Sequence, residues 1–261
     1  MITIVKNIRA KQKRLGGRKL WWLVSKQIPI DQQIGRDAFF DLLRDRGLLI
    51  RKRKTRAYTT NSSHWLHKYP NLIQEFIPLR ANHLWVSDIT YIQVEKRFLY
   101  LFLITDAYSR KIIGWQLSET IEAINAVKAL NMAVSQLPAN YEELIHHSDR
   151  GVQYCSLKYV QCLTKHKMKI SMTENGDPCE NAIAERVNGI LKTEWLYDMS
   201  LKGYDDTKKV IKSIIDIYNN ERPHSSIEMY TPSQAHQMTG ELKRLWKSYK
   251  KKKSEEILCQ S

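Results

Sequence analysis

The chain has 261 residues, of which 43% are hydrophobic and 26% charged, so it is long enough for one sizeable core with small appendages and is not globally disordered. Its 42 lysines and arginines exceed its 27 aspartates and glutamates, a formal net charge of +15, which favours a polyanionic partner. No apolar stretch approaches the roughly 20 residues of a membrane span and no secretory signal is recognisable, so we expect a soluble intracellular protein.

Residues 1–56 are predicted to form a small helical DNA-binding unit. Apolar residues cluster from Leu20 to Val24 and from Phe39 to Leu43, as two short amphipathic helices would require. A basic run follows, made of Arg51, Lys52, Arg53, Lys54 and Arg56. The pattern resembles a helix-turn-helix module that offers its second helix to a major groove. The alternative is a helical pair that only packs on a neighbouring element.

Residues 57–80 carry polar residues and prolines with little periodicity and are predicted to be a linker or extended arm. Residues 81–236 are predicted to form the catalytic domain, and 237–261 a basic tail. Three β-like runs come first, followed by alternating helices and short strands. This order predicts an antiparallel meander extended into a mixed α/β sheet with helices on both faces.

The four cysteines form no Cys-x₂-Cys pair and are too sparse for a disulfide framework. We therefore expect reduced thiols. A zinc site made from His64, His67 and later cysteines is disfavoured, because the paired half of such a site is missing. The adjacent His146 and His147 fit the end of a buried strand better than a metal site.

Two aspartates stand out as candidate catalytic groups. Strand alternation places Asp88 among apolar neighbours, where a carboxylate is costly to bury unless it is paired or binds a cation. Asp149 follows a buried strand and precedes Gly151, at the end of the strand where α/β sheets usually bind ligands. The structural alternatives are an edge-strand position for Asp88 and an Asx turn for Asp149. Asp106 is a rival that a turn role explains adequately.

Helical geometry selects Glu185 as the third carboxylate. At about 100° per residue, Ile183, Val187, Ile190 and Leu191 fall on one apolar face of a helix predicted from about Asn181 to Trp195. A polar ridge on another face carries Asn181, Glu185, Asn188 and Lys192. Three carboxylates from distant parts of a chain suit hard cations, and two Mg²⁺ ions about 3.5 to 4 Å apart are typical of phosphodiester chemistry.

Several motifs now occur in order along nearly the whole chain, with 35 residues between Asp149 and Glu185. They are Trp85-Val86-Ser87-Asp88, His147-Ser148-Asp149-Arg150-Gly151, Asn181 to Glu185, Asn188-Gly189, Leu191-Lys192, Tyr218-Asn219, Arg222-Pro223-His224 and Thr231-Pro232. Together they resemble the catalytic subunit of bacterial insertion-sequence transposases of the retroviral-integrase (DDE) type, the second of two reading frames.

The resemblance implies a ribonuclease H-like fold in which Asp88, Asp149 and Glu185 bind two Mg²⁺ or Mn²⁺ ions. It implies cleavage at element ends and transfer of the freed 3′-hydroxyls to new DNA. The partners implied are terminal inverted repeats, target DNA, further copies of the chain and a first-reading-frame product, in the nucleoid of the bacterial cytoplasm. The DNA contacts predicted alongside the basic run are Lys192, Asn188, Asn181, Arg222 and His224.

Two other functions are compatible with the same residues. The chain could be a DNA-binding regulator or domesticated remnant that does not catalyse, or a plain metal-dependent nuclease that never joins strands. The segment from Asn175 to Asn181 also departs from the family pattern, with Cys179-Glu180 where relatives commonly carry an aromatic residue and an aspartate.

Overall fold

The computed structural model describes residues 1–50, 65–174, 178–243 and 245. The predicted basic run at 51–56 and the lysines at 247 and 250–253 lie outside these residues. Within them, no helix combines the length and apolar character needed to cross a bilayer.

Three helices make up the N-terminal unit, and two of them are the predicted ones. Their bounds are α1 (Ile2–Lys11), α2 (Gly17–Ser25) and α3 (Arg36–Asp45), with a 3₁₀ turn at Ile30–Gln32. Helix α1 was not predicted, because basic side chains interrupt its apolar residues. The unit has its own buried core, formed by Val5, Leu15, Leu20, Val24, Phe39 and Leu43.

One five-stranded sheet organises the rest of the described chain. Its strands are β1 (Leu84–Val94), β2 (Arg97–Asp106), β3 (Ile112–Ser118), β4 (Ile145–Ser148) and β5 (Lys169–Met172), in the order β3-β2-β1-β4-β5. The first three form the predicted antiparallel meander, while β4 and β5 add in parallel on the other side of β1. Strand β4 pairs only with Leu84–Val86 of β1, so β4 does not cover the edge of β1 beyond Val86.

Helices cover both faces of the sheet, which confirms the predicted fold class. They are α4 (Ala123–Val134), α5 (Val152–Cys155), α6 (Leu157–Lys165), α7 (Ala182–Glu194), α8 (Gly203–Asn220) and α9 (Pro232–Ala235). Helices α4 and α6 bury Trp85 and Phe102 on one face. Helices α7 and α8 bury Leu101 and Leu103 on the other. Short 3₁₀ turns occur at Pro178–Asn181, Leu196–Asp198 and Ser225–Ile227.

The N-terminal unit packs directly on the ends of α7 and α8. The indole Nε1 of Trp195 donates to the Lys11 carbonyl oxygen at 2.9 Å. The Lys11 ammonium pairs with Glu221 at 2.9 Å, and Arg14 lies 3.7 Å from Asp198. These contacts are the ones expected of a helical unit that packs on a neighbouring element. They are also compatible with DNA binding by the same unit.

Residues 65–80 contain no helix and form an isolated bridge between Arg80 and Thr239. They also reach β5, where the Met172 backbone N–H donates to the Pro70 carbonyl oxygen at 3.2 Å. Ile73 and Phe76 pack against the apolar cluster that contains Leu84. The described part of the predicted linker is thus an extended segment attached to the catalytic part.

Gly114 allows α4 to lie unusually close to β3. A Cβ at this position would lie 2.3 Å from the Ala129 carbonyl oxygen, a backbone atom that cannot move independently. We predict that Gly114→Ala destabilises the fold by about 1–3 kcal/mol or more, through overpacking. Urea unfolding followed by circular dichroism measures the change.

The matched control is Gly189→Ala in α7, where an added Cβ meets nothing within 4 Å. This substitution should stabilise the protein by up to about 1 kcal/mol, because alanine is the better helix former. Equal changes in the free energy of unfolding for the two variants would contradict the close packing of α4 against Gly114.

Candidate active site

Asp88 lies on β1 just past the last residue that pairs with β4. Its carboxylate accepts two hydrogen bonds, one from the Ile89 backbone N–H at 2.9 Å and one from Asn188 Nδ2 at 2.6 Å. The side chain keeps partial contact with solvent. Because β1 is central to the sheet and α7 packs over it, the position of this carboxylate is fixed by the core.

Asp149 immediately follows β4, at the end of the sheet where the predicted site was expected. Its Oδ1 accepts from the Gly151 backbone N–H at 3.0 Å, in the turn that leads into α5. The Asx-turn alternative is therefore also realised, since one carboxylate oxygen holds the turn. Glu185 lies in the first turn of α7 and is exposed to solvent.

The three carboxylates share one electrostatic environment. The pKa of Asp88 is raised to about 7, mainly by burial, next by the charge of Asp149 and to a smaller extent by Glu185. The hydrogen bonds from Asn188 and Ile89 act in the opposite direction. The structure thus brings the predicted trio into mutual influence. Among the described residues, however, no three histidines, cysteines, aspartates or glutamates converge into a ready-made metal-ligand set.

The two asparagines of the predicted ridge are buried rather than offered to DNA. Asn188 donates to Asp88, and Asn181 Nδ2 donates to the Ser87 carbonyl oxygen at 3.0 Å. The Oδ1 atom of each amide is buried without a hydrogen-bond partner in the described part of the chain. These contacts make Asn181 and Asn188 neighbours that position the site, in place of the DNA contacts expected from the sequence.

Lys192 lies on the same side of α7, next to the acidic residues. Burial lowers the pKa of its ammonium, while the nearby Asp88 carboxylate raises it. The side chain is half-buried and lines a cavity of about 370 Å³ together with Tyr91 and Tyr197. A cation beside the carboxylates is suited to a phosphate group held there.

Arg222 and His224 do not fit the DNA-contact role predicted for them. The Arg222 side chain is 0% exposed, and its Nε and terminal nitrogen donate to the two oxygens of Glu194 at 2.8 and 2.6 Å. His224 is buried against Tyr218, with ring centroids 5.1 Å apart. Arg222 links the end of α7 to the residues that follow α8, and His224 packs on α8 itself. An arginine paired in this way is held by the core and is not available to a nucleic acid.

A buried polar network behind β1 was not predicted as part of the site. His146 Nε2 lies 2.7 Å from the Ser87 hydroxyl and 2.9 Å from the Tyr159 hydroxyl. Burial lowers the pKa of His146 to about 3, so the ring is neutral. The expectation that His146 belongs to a buried strand is confirmed. The sequence signal that could have identified Ser87 as a partner of His146 is strand alternation, which puts Ser87 on the face of β1 opposite Asp88.

Asp106 has the turn role that the sequence suggested for it. It is 0% exposed, and its carboxylate accepts from the Ser109 backbone N–H at 2.8 Å and from the Asn82 backbone N–H at 2.7 Å. The carboxylate therefore ties the β2–β3 turn to the start of β1.

A mixed sheet of this order, with carboxylates on its central strand, after its fourth strand and on a covering helix, defines an integrase-type core. The family model described as "Integrase core domain" matches residues 78–178, and a second model of the same description matches 166–232. A chain of the simian T-cell lymphotropic virus intasome is similar in structure, with a TM-score of 0.53 and 18% identity over 94% of this chain and 80% of that one. At that identity the likeness shows the fold alone.

The sequence relatives are more specific. An insertion element IS600 protein of 31 kDa from Shigella sonnei is 39% identical over 77% of this chain and 74% of its own length. Transposase InsF of insertion sequence IS3A from Escherichia coli K12 is 32% identical over 74% and 67%. The transposase of IS629 from Shigella sonnei is 29% identical over 85% and 74%. The chain belongs to the integrase-type transposases of bacterial insertion sequences.

The raised pKa of Asp88 predicts a pH-dependent cost of folding in metal-free protein. Its folded value near 7 lies above an unfolded value near about 3.9, so ionisation favours the unfolded state. The cost grows as the pH rises from about 4 to 7 and stays constant above, reaching at most about 4 kcal/mol for a fully desolvated group. In EDTA, Asp88→Asn should therefore raise the melting temperature at pH 8 and change it little near pH 4.

Thermal melts at both pH values, with Asp216→Asn on the exposed face of α8 as control, check this prediction. A shift for Asp88→Asn that is the same at pH 4 and pH 8 would show that its carboxylate is not destabilised by its surroundings.

Proposed function

We propose that Asp88, Asp149 and Glu185 are the catalytic residues of this transposase and that they bind two Mg²⁺ ions, with Mn²⁺ as a substitute. The observation that carries the proposal is the surplus of negative charge around Asp88, whose pKa is raised by burial and by the other two acids. A divalent cation would remove that surplus. The donor set consists of carboxylate oxygens, which are the ligands that such hard cations prefer.

Neighbouring residues support the same site. Asn188 fixes one oxygen of Asp88 through its amide nitrogen, and its own Oδ1 is a buried acceptor without a partner in the described chain. That atom could accept a hydrogen bond from a water molecule bound beside the carboxylates. The Gly151 N–H holds Asp149 in the turn that leads into α5.

The proposed reaction is cleavage of a phosphodiester at the element end, followed by attack of the freed 3′-hydroxyl on another strand. When bound, the metal ions supply charge stabilisation to the attacking and leaving oxygens. The chain's own residues hold the site: Asp88 from the rigid sheet, Asp149 from the strand end and Glu185 from the solvent side of α7. Lys192, whose ammonium lies near enough to Asp88 to be affected by its charge, would contact a phosphate of the bound strand.

The partners that follow from this activity are duplex DNA with the element's terminal inverted repeats, and the target duplex. We further propose that the protein acts as a homo-multimer on DNA, associated with the nucleoid, and that a first-reading-frame product contributes to end recognition. The net charge of +15 favours binding to such polyanions.

Substituting Asp149 tests the proposed chemistry. Asp149→Asn keeps the size of the side chain and an oxygen for the Gly151 hydrogen bond but removes the charge. We predict loss of Mg²⁺-dependent cleavage and joining by at least about 100-fold, with duplex binding within about twofold of wild type. Gel assays with labelled terminal repeats measure cleavage and strand transfer, and Asp216→Asn serves as the control.

Joining activity of Asp149→Asn at the wild-type level would reject the proposed catalytic trio. Cleavage by the wild-type protein with no strand transfer, under conditions that support DNA binding, would instead identify a plain nuclease.

A further inference from the structure

A cleft lies where the N-terminal unit meets the catalytic part, and we call it the junction cleft. Its volume is about 720 Å³. The residues that matter for its chemistry are Arg18, Lys19, Trp22, Arg36, Phe40 and Ser225. Five of these belong to α2 and α3, and Ser225 belongs to the turn that follows α8. The cleft is therefore shared by the two parts of the molecule.

The charge in the junction cleft is one-sided. Three of its lining residues are cationic and none is an aspartate or glutamate. Arg36 has a local partner in Asp37 at 2.9 Å, but this pair is exposed and contributes little. Trp22 and Phe40 add half-buried aromatic surface between the cations. A cleft of this composition suits an extended anion with apolar portions.

Lys19 stands in an excess of positive charge. The pKa of its ammonium is lowered to about 7, mainly by burial, next by the nearby Arg222 and to a smaller extent by Arg186. Glu194 is the acid that opposes this effect, but both of its carboxylate oxygens already accept from Arg222. An anion in the junction cleft would relieve the repulsion among these cations.

The exposed face of α3 has the opposite character. Its solvent-exposed charged residues are three aspartates and two arginines: Asp37, Asp41, Asp45, Arg36 and Arg44. Arg36 and Arg44 are each paired with an aspartate of the same helix. A face with this balance is unfavourable for insertion between the phosphates of a major groove. The cleft is thus more positive than the exposed face of the predicted recognition helix.

We propose that the junction cleft binds the sugar–phosphate backbone of duplex DNA. Arg18, Lys19 and Arg36 would contact phosphates, while Trp22 and Phe40 would face the deoxyribose. The inference rests on the proposed function, because it takes the element's DNA as the ligand, and it replaces α3 by the cleft as the principal DNA contact of this unit.

Helix α7 runs from the proposed catalytic residues to the neighbourhood of the junction cleft. Lys19 approaches Glu194, the last residue of α7, whereas Glu185 lies in the first turn of the same helix. These positions are nine residue steps apart, a rise of about 14 Å, which is about four base pairs of duplex at 3.4 Å per pair. A duplex that ran from the cleft along α7 would span this distance in less than half a helical turn.

The salt dependence of DNA binding tests the inference. We expect the double variant Arg18→Ala/Lys19→Ala to bind a terminal-repeat duplex on the order of 10-fold more weakly at 0.1 M salt. The slope of log K against log[salt] should fall in magnitude by roughly 1.8, at about 0.9 for each lost phosphate contact. Fluorescence anisotropy in EDTA measures both quantities without any need for catalysis.

The matched control is Lys6→Ala/Lys13→Ala. It removes the same charge from exposed positions of the same unit that do not line the cleft, and its slope should stay close to wild type. Lys19→Arg keeps the charge and should retain binding, and circular dichroism melts establish that each variant is folded. Arg44→Ala on α3 should have little effect.

Equal losses for the cleft pair and the control pair would overturn the inference, as would a larger loss for Arg44→Ala than for Arg18→Ala/Lys19→Ala. The outcome is separable from that of the proposed function. In EDTA, where no cleavage occurs, the cleft variants should lose affinity for the terminal-repeat duplex, whereas Asp149→Asn should bind it like the wild type and, in Mg²⁺, fail to cleave it.

Discussion

The structure is organised around an ionisable group in an unfavourable place: a carboxylate on the central strand of a sheet, with two further acids beside it. Burial and like charge both oppose the ionised form of Asp88, which is why its pKa rises to about 7. The fold tolerates this through the Asn188 amide and through partial contact with solvent. Cation-binding sites often contain such carboxylates, because the bound cation neutralises negative charge that destabilises the folded protein.

The rest of the architecture can be understood as support for that site. The brevity of β4, which pairs with only three residues of β1, keeps the sheet from closing over Asp88. Glu185 is brought there by α7, whose far end is fixed by the Glu194–Arg222 ion pair and by the Trp195 hydrogen bond to the N-terminal unit. Helix α7 carries Glu185 in its first turn and ends near Lys19 of the junction cleft. One rigid helix therefore fixes the distance between the proposed DNA contact and the proposed catalytic residues.

Much of the fold could be predicted from local sequence patterns, because alternation in 84–117 and helical spacing in 182–194 report directly on burial. The choice of Glu185 within α7 rested on the same geometry. Helical spacing did not reveal which way the polar ridge faces, so Asn181 and Asn188 were assigned to DNA although they point into the sheet. Arg222 was misassigned for another reason. Its burial depends on Glu194, 28 positions away, and no local pattern records that pairing.

The separation of the acids along the chain has a consequence for synthesis. The three meander strands are close neighbours in sequence and can pair early, since local contacts form quickly. Asp149 and Glu185 follow Asp88 by 61 and 97 positions, and the apolar cluster that buries α7 includes residues of α8, which follows α7 in the chain. A nascent chain on the ribosome would therefore have a folded sheet before it has a complete set of acids. An unfinished polypeptide would lack the proposed catalytic trio and would therefore be unable to cut DNA.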